Sequence, residues 1–213
     1  MEINGKGKEY NYNGKLNYEG EYLNGERNGK GKEYFNAKLE FEGEYLNGNI
    51  WNGKGKEFYN DGKLKFEGEY LNGERNGKGK EYNNDVKLKF EGEYLNGKRH
   101  GKGQEFYNEG KLKFEGEFLN GKIWNGKGYN KNGEIEFEIN DGKGYIKEYS
   151  LDDILEFEGE YLNGKRNGIG QEFYSDGKLK YRGEYLNGER HGKGIKYDHK
   201  IYESDSEDYS DDL

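Results

Sequence analysis

The stretch FEGEYLNGERNGKGKEY, Phe66 to Tyr82, recurs in lightly edited form from residues 41, 90, 114, 157 and 181. Within it Leu64, Phe66, Gly68 and Tyr70 alternate with Lys65, Glu67, Glu69 and Leu71, the period of two that marks a β-strand. Asn72-Gly73 reads as a tight turn, because both residue types tolerate positive φ. A second strand, roughly Gly77 to Tyr82, then runs back. A four-residue loop sets Tyr70 opposite Gly77, Gly68 opposite Gly79, Glu69 opposite Lys78 and Glu67 opposite Lys80. A two-residue Asn-Gly loop shifts the register by two and keeps the parity. Either way rings share one face with glycines, and glutamates meet lysines on the other. A ring needs room on the adjacent strand, and a missing Cβ provides it. Gly68, Gly77, Gly79, Gly92, Gly101 and Gly103 are therefore expected as structural clearance for stacked aromatics.

The repetition organises the whole chain. Aligned on the Gly of the aromatic-x-Gly element, the units fall at Gly20, Gly43, Gly68, Gly92, Gly116, Gly159 and Gly183. The spacings are 23, 25, 24, 24, 43 and 24, and the interval of 43 holds an eroded unit near 137–156 in which Phe137-Glu138-Ile139 replaces Phe-Glu-Gly. The sheet is expected to bend or loosen there. About eight units of 23–25 residues fill residues 1–201, and 202–213 is expected to be an acidic disordered tail. The fold class this predicts is all-β: an elongated single-layer antiparallel meander of tandem β-hairpins. At about 4.8 Å per strand, the predicted rod is on the order of 75 Å long. Its stability comes from stacking between neighbours.

Composition narrows the chemistry. The 213 residues are 30% hydrophobic and 37% charged, a balance that by itself points to disorder. The 21 Tyr, 11 Phe and 2 Trp point the other way, because they sit at fixed places in the repeat and supply a core of rings. Net charge is −8, and the segment from Glu203 onward carries six acids without a base, so the repeats are nearly neutral. Nucleic acid is not an expected partner, since phosphate binding calls for a basic face. With no cysteine there is no disulfide and no thiolate zinc site. No apolar run reaches membrane-spanning length, and MEINGKGKEY does not read as a signal peptide; the expected location is cytoplasmic, including the periphery of membrane or cytoskeleton.

The motifs that suggest catalysis dissolve in the repetition. Gly-Lys-Gly enters a strand in every unit, whereas a phosphate loop needs Gly-Lys-Ser/Thr opening a helix. His100 and His191 occupy equivalent turn positions far apart, and His199 lies beyond the last unit. Glu67 and Glu69 have glycosidase-like spacing, yet they recur with a lysine opposite each, which reads as a solvated ladder. No enzyme, cofactor or metal site is expected. Two units depart from the pattern: Asn49-Ile50-Trp51-Asn52 and Lys122-Ile123-Trp124-Asn125 lengthen the loop by one residue. Trp51 and Trp124 are either packing plugs or partner anchors.

Tyr-Glu-Gly-Glu-Tyr-x-Asn-Gly-x-Arg-x-Gly-x-Gly resembles the MORN (membrane occupation and recognition nexus) repeat. The resemblance runs through Tyr18–Gly31, Phe66–Gly79, Phe90–Gly103, Phe157–Gly170 and Tyr181–Gly194. Phe58-Tyr59-Asn60-Asp61-Gly62-Lys63 is similar to the linkers of a related bacterial repeat class. The resemblance implies an elongated antiparallel sheet acting as scaffold, dimerisation or targeting module. The reading adopted is a non-enzymatic scaffold that holds a helix or extended protein segment along an aromatic groove. That groove is built from Tyr22, Tyr45, Tyr70, Tyr94, Phe118, Tyr161 and Tyr185, with Phe66, Phe90 and Phe114 beside them. The alternatives are a peripheral module binding anionic membrane or phosphoinositide through lysines such as Lys54, Lys78, Lys102 and Lys127, and a bacterial antitoxin-like repeat protein. The chain begins midway through a unit, so an open N-terminal edge is expected to support a homodimer.

Overall fold

The computed structural model describes residues 4–150 and 152–198; the acidic tail at 202–213 and His199 lie outside the described residues. The chain divides into two compact units, one running up to Ile146 and including Tyr161–Lys165, the other holding Lys147–Glu160 and the chain from Arg166 on. The first contains β1 (Gly5–Tyr10), β2 (Leu16–Leu23), β3 (Glu26–Phe35), β4 (Lys38–Leu46), β5 (Asn49–Phe58), β6 (Leu64–Leu71) and β7 (Glu74–Tyr82). It continues through β8 (Leu88–Leu95), β9 (Lys98–Phe106), β10 (Leu112–Leu119), β11 (Lys122–Tyr129), β12 (Ile135–Asn140) and the start of β13 (Lys143–Tyr149). The second contains most of β14 (Leu155–Leu162) and of β15 (Lys165–Phe173), then β16 (Leu179–Leu186) and β17 (Glu189–Lys196). No helix occurs among the described residues. Strands pair antiparallel with their neighbours in sequence, a meander of tandem hairpins in each unit.

Both registers considered for the hairpin are present in one hairpin. Leu71 faces Glu74 and Tyr70 faces Arg75 across a two-residue turn, whereas Gly68 faces Gly79 and Glu67 faces Lys80. The Asn72-Gly73 turn has positive φ at both residues (53° and 79°), which matches the twist of the strands it joins. The two registers are reconciled by a bulge that sets Glu69 against Asn76 to Lys78, with Gly77 at φ 73°. Glu69 therefore does not pair with the lysine side chain opposite it: its Oε2 accepts the Lys78 backbone N–H at 3.1 Å. Glu21 and Glu93 cap the equivalent bulges through Lys30 and Lys102. Gly77 and Gly101 are bulge glycines whose added Cβ would strike these carboxylates, not the rings. Ladder ion pairs form between hairpins instead, Lys32–Glu42 at 3.0 Å and Lys80–Glu91 at 3.2 Å.

The core is a zigzag of rings over bare backbone. A Cβ on Gly68 or Gly79 would stand 2.6–2.7 Å from the Phe66 ring, and Gly92 and Gly103 stand in the same relation to Phe90. From Phe66 to Phe118 the rings meet edge to face. The centroid separations are 5.3 Å for Phe66–Tyr94, 5.6 Å for Phe90–Tyr94 and 5.1 Å for Phe90–Phe118. Each hairpin thus rests a ring on the next. The second unit repeats this with Phe157, Tyr181 and Tyr185.

The eroded unit keeps its hairpin register beside the turn. Its first strand has lost a Gly-Glu pair, so Ile139 faces Gly144 and Asn140 faces Lys143 in register up to the Asp141-Gly142 turn. Ile139 lies opposite Gly126, as Tyr70 lies opposite Gly53 and Tyr94 opposite Gly77. It stands where the turn-side aromatic stands elsewhere, not where the glycine does. Ile139 and Ile146 are fully buried, an aliphatic substitute for a ring pair.

Candidate functional site

Most of the ring face is covered by its own chain. Tyr22, Tyr45, Tyr94, Phe118, Tyr185, Phe66, Phe90 and Phe114 are buried, and Tyr70 and Tyr161 are half-buried. An open row of rings, as expected from the alternation, is not what this face presents. The pattern accounts for the glycines beneath the rings but not for the arginines above them. The Arg75 guanidinium lies 4.0 Å over Phe66, Arg99 lies 4.1 Å over Phe90 and Arg27 lies 4.2 Å over Tyr18; Arg166 and Arg190 cover Phe157 and Tyr181 in the second unit.

Carboxylates fix these arginines in place. Arg75 donates through Nε and Nη2 to both oxygens of Glu57 at 2.8 and 2.6 Å, and the Tyr70 hydroxyl donates to Oε1 of Glu57 at 2.8 Å. Glu81 serves Arg99 and Tyr94 in the same way and also lies 3.6 Å from Arg75, so one carboxylate links two hairpins. The arginine hydrogen bond leads in holding the carboxyls of Glu9 and Glu172 below the usual range. At Glu57 and Glu81 burial opposes ionisation, and the arginine and tyrosine contacts outweigh it. Burial first, then the neighbouring carboxylate, pushes the phenols of Tyr22, Tyr70, Tyr94 and Tyr185 upward. The Arg of Glu-Arg-Asn was the available signal, since it recurs with the rings.

Open troughs lie on the opposite face. A trough of about 660 Å³ crosses β4 to β9. Its floor is the backbone of Gly55, Gly68, Gly79 and Gly92. One wall carries Lys56, Glu67, Lys80 and Glu91, the other Lys54, Glu69, Lys78 and Glu93. A second trough of about 570 Å³, over Gly7, Gly20, Gly31 and Gly43, has the same construction. Glycine removes the side chain from the ring face at these positions, and alternation directs their charged neighbours to this one. Backbone floor and charged walls therefore have a single cause.

The model of the MORN repeat matches residues 18–37, 66–85, 90–111, 157–178 and 181–198, and that of a MORN repeat variant matches 3–24 and 51–72. The chain is a MORN repeat protein. No curated protein matches it. In this MORN array the matched segments carry the Phe/Tyr-x-Gly strand and its return strand, the elements that build both faces.

The two tryptophan-bearing MORN units replace the covering arginine. Trp51 accepts the Gly73 backbone N–H at its carbonyl, as Arg75 accepts that of Gly97. Trp124 accepts that of Gly142. The Trp124 ring lies against Gly142, where a Cβ would stand 2.5 Å from it. Trp51 instead lines an open cleft of about 650 Å³ on the ring face with Arg27, Glu33, Tyr45 and the Asn72-Gly73 turn. Both indoles are half-buried. In these units a register shift remains, and an asparagine side chain supplies the donor that a backbone N–H supplies elsewhere: Asn52 and Asn125 donate through Nδ2 to Glu44 and Glu117.

Proposed function

We propose that this MORN array is a non-enzymatic scaffold that holds an extended segment of another protein in the trough on the Lys/Glu face. The observation that carries the reading is the backbone-floored channel between two walls of alternating charge. From β4 to β9 it extends roughly 24 Å, enough for about seven extended residues. Alkyl stems of Lys and Glu offer apolar contact, and their ends offer paired charges to either sign of side chain. The buried rings act from behind: with the arginines they hold the strands that form the floor. Repetition of the same residues in successive units supports binding along a line over chemistry at a point. The rows of Glu beside Lys weigh against an anionic membrane as the principal partner, because each lysine's attraction is offset nearby.

Affinity capture with the intact protein, compared with a Lys56→Glu/Lys80→Glu variant, tests this reading. Both lysines are exposed and their ion pairs contribute at most about 1 kcal/mol each, so the fold is retained. The variant makes one wall uniformly acidic. A direct partner of the intact chain is expected to be lost from it while thermal unfolding is nearly unchanged. Partners that bind the variant equally well would place the interaction elsewhere.

A further inference from the structure

We propose that the acidic segment from Glu203 to Leu213 docks in cis along the open edge of β17, as the strand that the repeat array would otherwise continue. Interior edges that are followed by an arginine-bearing hairpin share one contact. The return strand of one hairpin supplies a glutamate to the arginine and tyrosine of the next: Glu57 to Arg75 and Tyr70, and in the second unit Glu172 to Arg190 and Tyr185. On β17 that position is Lys196. The same hairpin has Arg182 where the repeat has the Glu of Phe-Glu-Gly. Both departures turn an acid into a base. Leu179–Tyr197 holds five bases and two acids, against four and four in the equivalent Leu64–Tyr82.

These bases are waiting for a carboxylate. β17 is exposed along its whole length. Among the described residues Arg182, Lys193 and Lys196 make no ion pair, and Arg190 has Glu172 alone where Arg75 and Arg99 each reach two glutamates. A further repeat unit would bring an arginine against Lys196, so the edge disfavours continuation of the pattern. A second copy meeting it through β1 would bring Lys6 and Lys8, with Glu9 already held by Arg27 and Tyr22. The six carboxylates of the tail have the opposite charge, and Glu203 follows Lys196 by seven residues. A tether that short raises the local concentration to on the order of millimolar or above. Added as a strand, the segment also covers the free backbone groups of an edge that otherwise invites association.

Hydrogen exchange read by mass spectrometry on the full-length chain tests the proposal. The comparison is with a full-length variant whose six tail acids are neutralised (Glu203→Gln, Asp205→Asn, Glu207→Gln, Asp208→Asn, Asp211→Asn, Asp212→Asn). A second comparison is Arg182→Glu/Lys196→Glu, which restores the residues of the repeat. Amides of Gly192–Lys196 are expected to exchange about tenfold faster in each variant, and β6–β7 unchanged. High salt is expected to speed exchange at β17 of the parent chain toward the variants. Equal exchange at β17 in parent and neutralised chains overturns the proposal. So does protection that survives Arg182→Glu/Lys196→Glu, since charge then does not hold the segment. Protection that rises with protein concentration puts a second copy on the edge and overturns it as well.

Discussion

Val86 sits at φ 60°, in the linker place that Gly62 fills at φ 81° and Gly110 at φ 83°. A β-branched side chain in the left-handed region costs on the order of 1–3 kcal/mol. Val86 is exposed, so no packing offsets that cost. Val86→Gly is therefore expected to stabilise the protein by about 1 kcal/mol after the added freedom of the unfolded glycine is discounted. Urea midpoints of the two proteins check this, and an unchanged or lower midpoint refutes the strain. The charged residues set a pH profile by the same local reasoning. Glu57, Glu81 and Glu172 have depressed folded pKa values, so their contribution is complete above the unfolded value near pH 4.3 and is lost as pH falls below it. The raised phenols work in the opposite sense: Tyr70, Tyr94 and Tyr185 contribute fully below about pH 10 and lose that contribution as pH rises. Arg99→Met, which strips Glu81 of its bidentate partner, is expected to cost about 3 kcal/mol at pH 7. The difference from the parent should shrink as pH falls through the depressed pKa that Glu81 has in the folded parent, below which the carboxyl is protonated in both. A constant difference across that range would detach the arginine from the acid limb.

At the scale of the hairpin, the two tryptophans separate by what they touch. Trp124 is laid on Gly142, whereas Trp51 opens onto a cleft. Trp124→Ala leaves an unfilled space between adjacent turns and is expected to cost about 2–3 kcal/mol, below the full penalty for a buried tryptophan because the ring is half-buried. Trp51→Ala is expected to cost about half as much, and equal losses in urea titrations would contradict this division. Strand, turn and repeat were legible at this scale because alternation, Asn-Gly and the glycine pairs each have one strong structural consequence. The bulge was not. Two candidate registers shared the same parity, and nothing in the letters says that Glu69 prefers a backbone N–H to the Lys78 ammonium. The lids were missed for a related reason: Arg75 follows Asn-Gly in a place that reads as solvent, and only the folded turn brings it back over Phe66. The eroded hairpin misled because alignment on Phe-Glu-Gly hides a two-residue deletion, after which Ile139 takes the place of a tyrosine.

Within each unit of the molecule, strands touch their sequence neighbours, so an injury should stay near its origin. Phe66 contacts Tyr70 in its own hairpin and Tyr94 in the next, and its ring covers Gly68 and Gly79. Phe66→Ala removes that contact set at one point of a chain of pairwise contacts, a loss of about 3–4 kcal/mol. In a compact domain such a loss lowers the protection of every core amide together. In a linear array each unit is held by its own hairpin and its two interfaces, and the loss is felt by those. Hydrogen exchange of the variant is expected to accelerate sharply in β5–β8, where Phe66 and its neighbours lie, and little in β10–β12. The same logic says that the bulges, turns and arginine lids of distant hairpins keep their geometry, since none depends on a contact with Phe66. Uniform acceleration through β12 would mean that the first unit unfolds as one cooperative block, and the nearest-neighbour account of its stability would then be untenable.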